Sequence, residues 1–254
     1  MIALCSDPFF DISGKSIVIA GACGGLGSAI SNELSRRGAN LVLADIDAAA
    51  LEGLAEALPS DTRYQSIDAT DEEQTIALMQ LAADAYGGVD ALVNATGVFA
   101  VGLAKDLPLQ EFRRSMDVNV AGALLLSRAA AHHMSSAGGS IIHLASVSSR
   151  VANAEYAAYA SSKAALSQLV RILAREWAPS GIRVNALGPA MTETQLTARH
   201  LSNAAFQDQA LAAIPMGRFG RPEDLLAPIL MLIGDGGSFI TGQTIYVDGG
   251  RTLV

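Results

Sequence analysis

A tyrosine, a lysine and a serine stand at spacings that suit proton transfer to and from an alcohol. Tyr159 and Lys163 are four residues apart, and Ser146 lies thirteen residues before the tyrosine. A phenol has an ordinary pKa of about 10, but an ammonium group one helical turn away favours the phenolate and lowers that pKa. The spacing therefore predicts a tyrosine that exchanges a proton with a substrate hydroxyl or carbonyl. A chance Y-x-x-x-K pair on a helix surface is the alternative.

A glycine-rich turn near the N-terminus has the features of a phosphate-binding loop. A β-branched run at 16–20 predicts a buried strand, and a helical pattern at 28–38 follows the turn. Glycines let backbone amides approach a pyrophosphate, and the helix N-terminus adds partial positive charge. An ordinary tight turn is the alternative. The residues predicted to bind here are Gly21, Cys23, Gly24, Gly25, Leu26 and Gly27.

Together these motifs resemble the short-chain dehydrogenase/reductase family over nearly the whole chain. The glycine spacing is G-x-x-x-G-x-G, and further matches lie at 94–97, 117–120, 189–194 and 242–250. The resemblance implies a single Rossmann-type domain over 1–254, with a doubly wound parallel sheet of about seven strands and helices on both faces. It also implies the catalytic residues Asn119, Ser146, Tyr159 and Lys163.

Four positions depart from the family pattern. Ala20 and Ala95 replace residues that tie the central strands together, while Thr96 and Ala190 stand near the expected cofactor or substrate pocket. Each of the four leaves the catalytic groups in place. The departures therefore bear on the shape of the pocket.

Strand patterns alternate with helical patterns along the chain, which indicates a parallel sheet covered by helices on both faces. The predicted strands after the first are 40–44, 63–67, 91–93, 140–144 and 183–186, with the last inside 242–250. The predicted helices after the first are 47–57, 71–86, 109–134, 157–178 and 222–233. By resemblance, the segment 192–213 is a substrate lid.

Asp45, at the end of the second predicted strand, indicates NAD as the cofactor. An acid there accepts hydrogen bonds from the ribose hydroxyls and repels the 2′-phosphate of NADP. Its neighbours are not basic, and Arg36 and Arg37 are expected to face solvent. The alternative is that Asp45 caps the helix 47–57.

The resemblance implies further cofactor contacts. Asp68 matches the family's contact with the adenine ring, with a strand-end residue before the next helix as the alternative. The remaining expected contacts are Ile46, Ala69, Asn94, Ala95, Thr96, Gly97, Tyr159, Lys163, Pro189, Ala190, Thr192 and Thr194.

The implied reaction is reversible hydride transfer between the nicotinamide and a carbinol carbon. Tyr159 is the expected base in oxidation and the acid in reduction, and Lys163 is expected to lower its pKa and hold the ribose. Ser146 is expected to bind the substrate oxygen. Asn119 is expected to shape its helix and hold a proton-relaying water. No metal is required, because the tyrosine replaces a Lewis acid.

Composition restricts the class of protein. The chain has 254 residues, of which 50% are hydrophobic and 17% charged, with a net charge of −8. This fits one α/β domain with a large core and makes a nucleic-acid partner unexpected. The two cysteines cannot build a disulfide framework. No signal peptide or bilayer-spanning segment is predicted, so a cytoplasmic location is expected without a membrane partner.

The apolar helices 109–134 and 157–178 are predicted to pair across a homodimer or homotetramer interface, with simple burial against the sheet as the alternative. A small-molecule substrate is expected, either a polyol, a sugar acid or a hydroxy acid. Parts of the chain are similar to gluconate 5-dehydrogenases and 3-oxoacyl-carrier-protein reductases. A catalytically silent NAD-binding sensor is the alternative function. The expected substrate pocket comprises Val98, Val147, Ser148, Asn153, Tyr156, Ala190 and Glu193.

Overall fold

The fold is built on a seven-stranded parallel sheet. In the computed structural model, the described residues are 7–59, 62–134, 137–193 and 204–254. The strand order is β3-β2-β1-β4-β5-β6-β7. The chain first builds the sheet outward from β1 to β3, and then it returns to place β4 on the other side of β1. The strands are β1 (Ser16–Ala20), β2 (Asn40–Asp45), β3 (Thr62–Ser66), β4 (Ala91–Asn94), β5 (Gly139–Leu144), β6 (Ile182–Pro189) and β7 (Thr244–Val247).

Helices connect the strands and cover the sheet. Asp47 and Asp71 begin the second and third helices by accepting hydrogen bonds from Ala50 N–H and Gln74 N–H, each at 3.1 Å. The described helices are α1 (Gly25–Arg36), α2 (Ala48–Ala57), α3 (Glu72–Tyr86), α4 (Leu109–Met116), α5 (Gly122–His133), α6 (Ala157–Trp177), α7 (Ala204–Ala212) and α8 (Leu226–Ile233).

Two apolar layers hold the helices to the sheet. Successive residues of a strand point to opposite faces, so Ile17 packs in one layer and Val18 in the other. The layer around Val18 includes side chains from α3, α5 and α6, and the layer around Ile17 includes side chains from α1, α2 and α8. The predicted doubly wound α/β fold is thus confirmed.

The predicted helix 109–134 is interrupted. One turn of π-helix, Asp117–Ala121, separates α4 from α5. Such turns widen a helix by one residue and often occur at functional sites. Here the turn contains Asn119, which is buried. Residue periodicity predicts the long helix but not this local widening, because the extra residue is accommodated by packing.

Other boundaries move by a few residues. The first helix begins at Gly25, before the predicted 28, and β6 runs on to Pro189, past the predicted end at 186. The segment 222–233 starts as a 3₁₀ turn, Pro222–Leu225, before α8. In the described part of the chain, no helix is long and apolar enough to cross a bilayer.

Candidate active site

Ser146 and Tyr159 come together at the carboxyl edge of the sheet. Ser146 follows β5 and caps a 3₁₀ turn, Val147–Ser149, by accepting a hydrogen bond from Ser148 N–H at 3.1 Å. Tyr159 lies in the first turn of α6, and its phenol is hydrogen-bonded to Ser146. The predicted serine–tyrosine pair is therefore adjacent in space.

Burial dominates the electrostatics of this pair. It raises the pKa of Tyr159 to about 12, although the hydrogen bond from Ser146 acts in the opposite direction. The sequence predicted that Lys163 would lower the pKa of Tyr159. For the residues of this chain alone that prediction is wrong, because desolvation of the phenolate outweighs its stabilisation by the hydrogen bond with Ser146. Burial also lowers the pKa of Lys163 to about 8. Its Nζ donates to the Leu144 carbonyl at 2.7 Å and lies 5.8 Å from the Tyr159 ring centroid.

Asn119 forms hydrogen bonds both to the loop 97–98 and to α6, the helix that carries Tyr159 and Lys163. Its Oδ1 accepts from Val98 N–H at 2.8 Å, and its Nδ2 donates to Val98 O at 3.1 Å. The same Nδ2 donates to Ser162 Oγ at 2.9 Å. Ser162 immediately precedes Lys163, so the amide of Asn119 links the π turn, the loop 97–98 and α6.

The glycine-rich loop has the close packing that a phosphate cradle requires. Gly21 has φ +78°, and a Cβ at this position would lie 2.6 Å from the Ala95 carbonyl carbon. A Cβ on Gly27 would overlap the Gly21 carbonyl oxygen. Gly24 differs, since the nearest atom to its added Cβ is 3.5 Å away. The main chain therefore comes close to itself before α1, whose first-turn N–H groups are free for an anion.

Asp45 is held beside this loop. Its Oδ2 accepts from Cys23 N–H at 2.9 Å, and its Oδ1 accepts from Asp47 N–H at 3.3 Å. The cap of α2 is Asp47 and not Asp45, so the alternative interpretation of Asp45 is wrong. The loop thus carries a carboxylate that is available as an acceptor for ribose hydroxyls.

The surroundings of Asp45 do not favour a second phosphate. Arg36 and Arg37 both pair with Glu33 on α1, with Arg37 Nε 2.7 Å from the glutamate Oε1. Burial and the charges of Asp45 and Asp47 raise the pKa of the Cys23 thiol to about 11. The thiol therefore stays neutral. With the two arginines paired to Glu33, these surroundings favour NAD over NADP.

Asp68 is engaged in a local turn. Its Oδ1 accepts from Thr70 N–H at 2.8 Å and from Thr70 Oγ1 at 2.7 Å, and these bonds lower the pKa of the carboxyl. Ala69 packs against Gly122 of α5. Ile46, next to Asp45, is exposed. These positions line the side of the sheet on which the adenosine is expected.

The loop 94–97 is held by a buried polar network. Asn94 Oδ1 accepts from Thr96 N–H at 3.0 Å and from Thr96 Oγ1 at 2.6 Å. Asn94 Nδ2 lies 3.1 Å from His143 Nδ1, and Ser127 Oγ lies 3.0 Å from the other ring nitrogen. Burial lowers the pKa of His143 to about 3. His143 is therefore a fully buried core residue that remains neutral.

A cavity of about 480 Å³ opens in front of Ser146 and Tyr159. The expected pocket residues that line it are Val147, Ser148, Asn153, Tyr156 and Ala190, and the expected cofactor residues that do so are Leu26, Pro189 and Thr192. Val98 is bound to Asn119 instead, and Glu193 is exposed, with its N–H bonded to Gly220 O at 3.1 Å. Thr194 lies outside the described residues. Gln209, Ala210 and Ala213, from the described end of the expected lid, also line the cavity.

Three aromatic rings form one wall of the cavity. Phe99 makes edge-to-face contacts with Tyr159, at 4.8 Å between centroids, and with Tyr156, at 5.4 Å. The two tyrosine rings are 6.2 Å apart. Edge-to-face packing fixes ring positions, so the phenol of Tyr159 is held by its neighbours as well as by α6.

Arg251 is a cavity residue that the sequence patterns did not identify. It follows the strand β7 and begins a 3₁₀ turn, Arg251–Leu253. The available signal was its position, since residues just past the end of a parallel strand lie at the ligand-binding edge. Because Arg251 is far along the chain from the other site residues, no sequence motif connects it with them.

The cradle, the ribose acceptor and the serine–tyrosine pair beside a cavity define a dinucleotide-dependent oxidoreductase. A family model described as "Enoyl-(Acyl carrier protein) reductase" matches residues 21–252. An NAD-dependent glycerol dehydrogenase from Listeria innocua is 35% identical over 248 residues, covering 97% of each chain.

Two further similarities point the same way. A cis-4-hydroxycyclohexanecarboxylate dehydrogenase from Sinomonas cyclohexanicum is 35% identical, covering 93% of this chain and 96% of its own. The crystal structure of a short-chain type dehydrogenase/reductase from Mycobacterium marinum has a TM-score of 0.92 at 34% identity, covering 97% of this chain and 98% of its own. The chain belongs to the short-chain dehydrogenase/reductase family and is an NAD-dependent oxidoreductase acting on CH–OH groups.

Proposed function

We propose that Ser146 and Tyr159 carry out the proton chemistry of a reversible secondary-alcohol oxidation in the cavity of about 480 Å³. The observation that supports this is the hydrogen bond between the serine and the phenol at the cavity wall. NAD(H), held by the loop 21–27 and Asp45, would supply the hydride acceptor for oxidation of the alcohol and the hydride donor for reduction of the ketone. The chain's own residues must then move one proton to or from the substrate oxygen.

Tyr159 takes the hydroxyl proton during oxidation and gives it back during reduction. Because burial raises the pKa of the phenol to about 12, the neutral form prevails in the protein at working pH. A neutral phenol is ready to act as the acid in reduction. Oxidation requires the phenolate, which the Ser146 hydrogen bond favours and which nearby positive charge favours further.

Lys163 and Asn119 are proposed to support the proton transfer by Tyr159. Lys163 is buried, and burial lowers its pKa to about 8. It is proposed to hold the nicotinamide ribose. Asn119 is proposed to keep the loop 97–98 against α6 and to hold the relay water through the free lone pair of Oδ1.

The substrate is proposed to be a polyol, a sugar acid or a hydroxy acid. Relatives of this chain include a dehydrogenase named for glycerol and one named for a hydroxylated ring acid. The cavity combines an aromatic wall with the polar side chains of Asn153, Gln209 and Arg251. Such a mixed lining suits a small molecule with an apolar part and a few fixed polar groups.

Replacement of Tyr159 by Phe tests the proposed function. The variant should keep NAD⁺ binding, because the cradle is on other elements, and lose alcohol oxidation by about 10³-fold or more, as expected for removal of a catalytic acid–base group. NADH formation would be followed over a panel of polyols, sugar acids, hydroxy acids and cyclic alcohols. Unchanged turnover in the variant would exclude the mechanism, and a wild type that binds NAD⁺ but oxidises nothing would favour a silent sensor.

Assembly through α5 and α6 is proposed as well. A groove of about 740 Å³ lies between these helices, lined in part by Leu124, Leu173 and Trp177. Apolar surface of this kind commonly marks a contact with another chain. A homodimer or homotetramer is expected in light scattering, and a monomer at micromolar concentration would exclude it. The expected cytoplasmic location stays a prediction for cell fractionation.

A further inference from the structure

Arg251 lines the cavity and lies in a turn that hydrogen bonds hold in place. Asp248 Oδ1 accepts from Gly250 N–H at 3.0 Å and its Oδ2 accepts from Thr252 N–H at 2.8 Å. These bonds fix the turn that carries the arginine, and they contribute to a lowered pKa of Asp248. The guanidinium itself donates to Asn153 Oδ1 at 3.1 Å and to Val254 O at 3.2 Å.

Among the described residues, no carboxylate side chain neutralises the charge of Arg251. Within the described ranges, no aspartate or glutamate forms an ion pair with it. The two oxygens that it meets are the neutral side-chain amide oxygen of Asn153 and the main-chain oxygen of Val254, the last residue of the sequence. A guanidinium group that lines a cavity without a carboxylate side chain beside it is suited to bind a ligand carboxylate, which accepts two parallel N–H bonds. The acidic residue among the described lining side chains, Glu155, is exposed, where water screens its charge.

Two polar groups thus face one cavity from distant parts of the chain. Ser146 and Tyr159 lie after β5 and on α6, whereas Arg251 lies after β7. The same cavity is also lined by the apolar side chains of Val147 and Phe99 and by the Tyr156 ring. A ligand that reaches both groups needs a hydroxyl, an acidic group and an apolar body that separates them.

We propose that Arg251 binds the carboxylate of a hydroxy acid whose acid group and secondary hydroxyl are separated by an apolar carbon body. This inference rests on the proposed function, because it uses Ser146 and Tyr159 as the site of the hydroxyl. It narrows the substrate to acids and disfavours neutral polyols. It also assigns a specificity role to a residue outside the catalytic motifs.

The test compares 4-hydroxycyclohexanecarboxylate with its neutral carboxamide, which has nearly the same shape. We expect the wild-type enzyme with NAD⁺ to prefer the acid in kcat/KM by about 30-fold, the range of one charge-assisted contact. R251Q should remove that preference, R251K should keep part of it, and R150Q should retain it fully. Arg150 is an exposed arginine that does not line the cavity.

A binding measurement separates this inference from the proposed function. Calorimetry of the enzyme–NADH complex with cyclohexanecarboxylate, which has no hydroxyl to react, should show binding that is about 30-fold weaker in R251Q than in R150Q. Equal kcat/KM for acid and amide in the wild type would overturn the carboxylate site while leaving the oxidoreductase mechanism intact. Arg251-dependent binding without any turnover would support the carboxylate site and reject the proposed chemistry. If R251Q does not fold, the wild-type comparison of acid and amide decides alone.

Discussion

The cofactor end and the substrate end of this molecule are built by different means. The cofactor end, comprising the loop 21–27, Asp45 and the loop 94–97, depends on main chain that approaches main chain too closely for a Cβ. The substrate end, comprising Ser146, Tyr159 and Arg251, depends on side chains that arrive from separate elements. Each motif of the first can be recognised in a short stretch of sequence, although the motifs meet in space, as Gly21 meets Ala95. The grouping of the second exists only after the sheet has formed.

This difference teaches where specificity can vary. Gly21 and Gly27 at the cofactor end have little freedom to change, because backbone atoms fill the space where a Cβ would lie. Around the cavity, side chains from distant segments contact one another, as Arg251 contacts Asn153. The binding of the cofactor therefore belongs to the closely packed part of the molecule, and the choice of substrate belongs to the part assembled from distant segments.

Gly27→Ala should have the largest effect at the cofactor end. The added methyl group would overlap the Gly21 carbonyl, so the loop must move, at a cost of about 3 kcal/mol in the free energy of unfolding. Displaced N–H donors should weaken NAD⁺ binding by about 100-fold. Chemical denaturation and calorimetric titration measure the two effects.

Gly24→Ala is the matched control. Its added Cβ would lie 3.5 Å from the nearest neighbouring atom, Gly21 O, which is ordinary van der Waals contact. We expect near-native stability and NAD⁺ affinity. If both variants bound NAD⁺ as the wild type does, close main-chain packing would not be what defines the cofactor end.

Asp45→Asn should reduce the preference for NAD over NADP by about 100-fold, through the loss of charge repulsion and of a charged acceptor. Asparagine can still accept from Cys23 N–H, so the loop keeps its shape. The ratio of kcat/KM values for the two cofactors measures the effect. Asp47→Asn, which changes the neighbouring helix cap instead, should leave the ratio unchanged. An equal shift in both variants would implicate general charge and not the ribose site.

His143→Asn should produce the smallest of these effects, on stability in acid. The folded histidine has its pKa lowered to about 3, whereas the unfolded histidine takes up a proton below its ordinary pKa. Unfolding therefore absorbs a proton, and the wild type should lose about 2 kcal/mol of stability between pH 7 and pH 5. The variant should lose that much less, as measured by urea unfolding at both pH values.

His132→Asn serves as the control for the histidine, since His132 is exposed on α5. It should follow the wild-type dependence on pH. The same slope in His143→Asn as in the wild type would mean that the buried network between Asn94 and Ser127 does not hold the histidine neutral. The link between β5 and the loop 94–97 would then need another explanation.

Most of the fold could be predicted from sequence, and so could the pairing of Ser146 with Tyr159. Strand and helix patterns follow from the alternation of side-chain directions, which burial on both sheet faces imposes. The spacing of Ser146, Tyr159 and Lys163 along the chain indicates that they act together. The π turn at Asn119 and the direction of the Tyr159 pKa shift were not predictable, because both depend on packing by residues remote in sequence.

The sequence by itself determined the parallel sheet, the glycine-rich cradle and the acid at Asp45, because each is specified by neighbouring residues and the local conformations that they allow. Tertiary structure alone decided that Asn119 clamps the loop 97–98, that His143 joins Asn94, and that Arg251 enters the cavity. Hydrogen bonds and desolvation act over a few ångströms of space, whatever the distance along the chain.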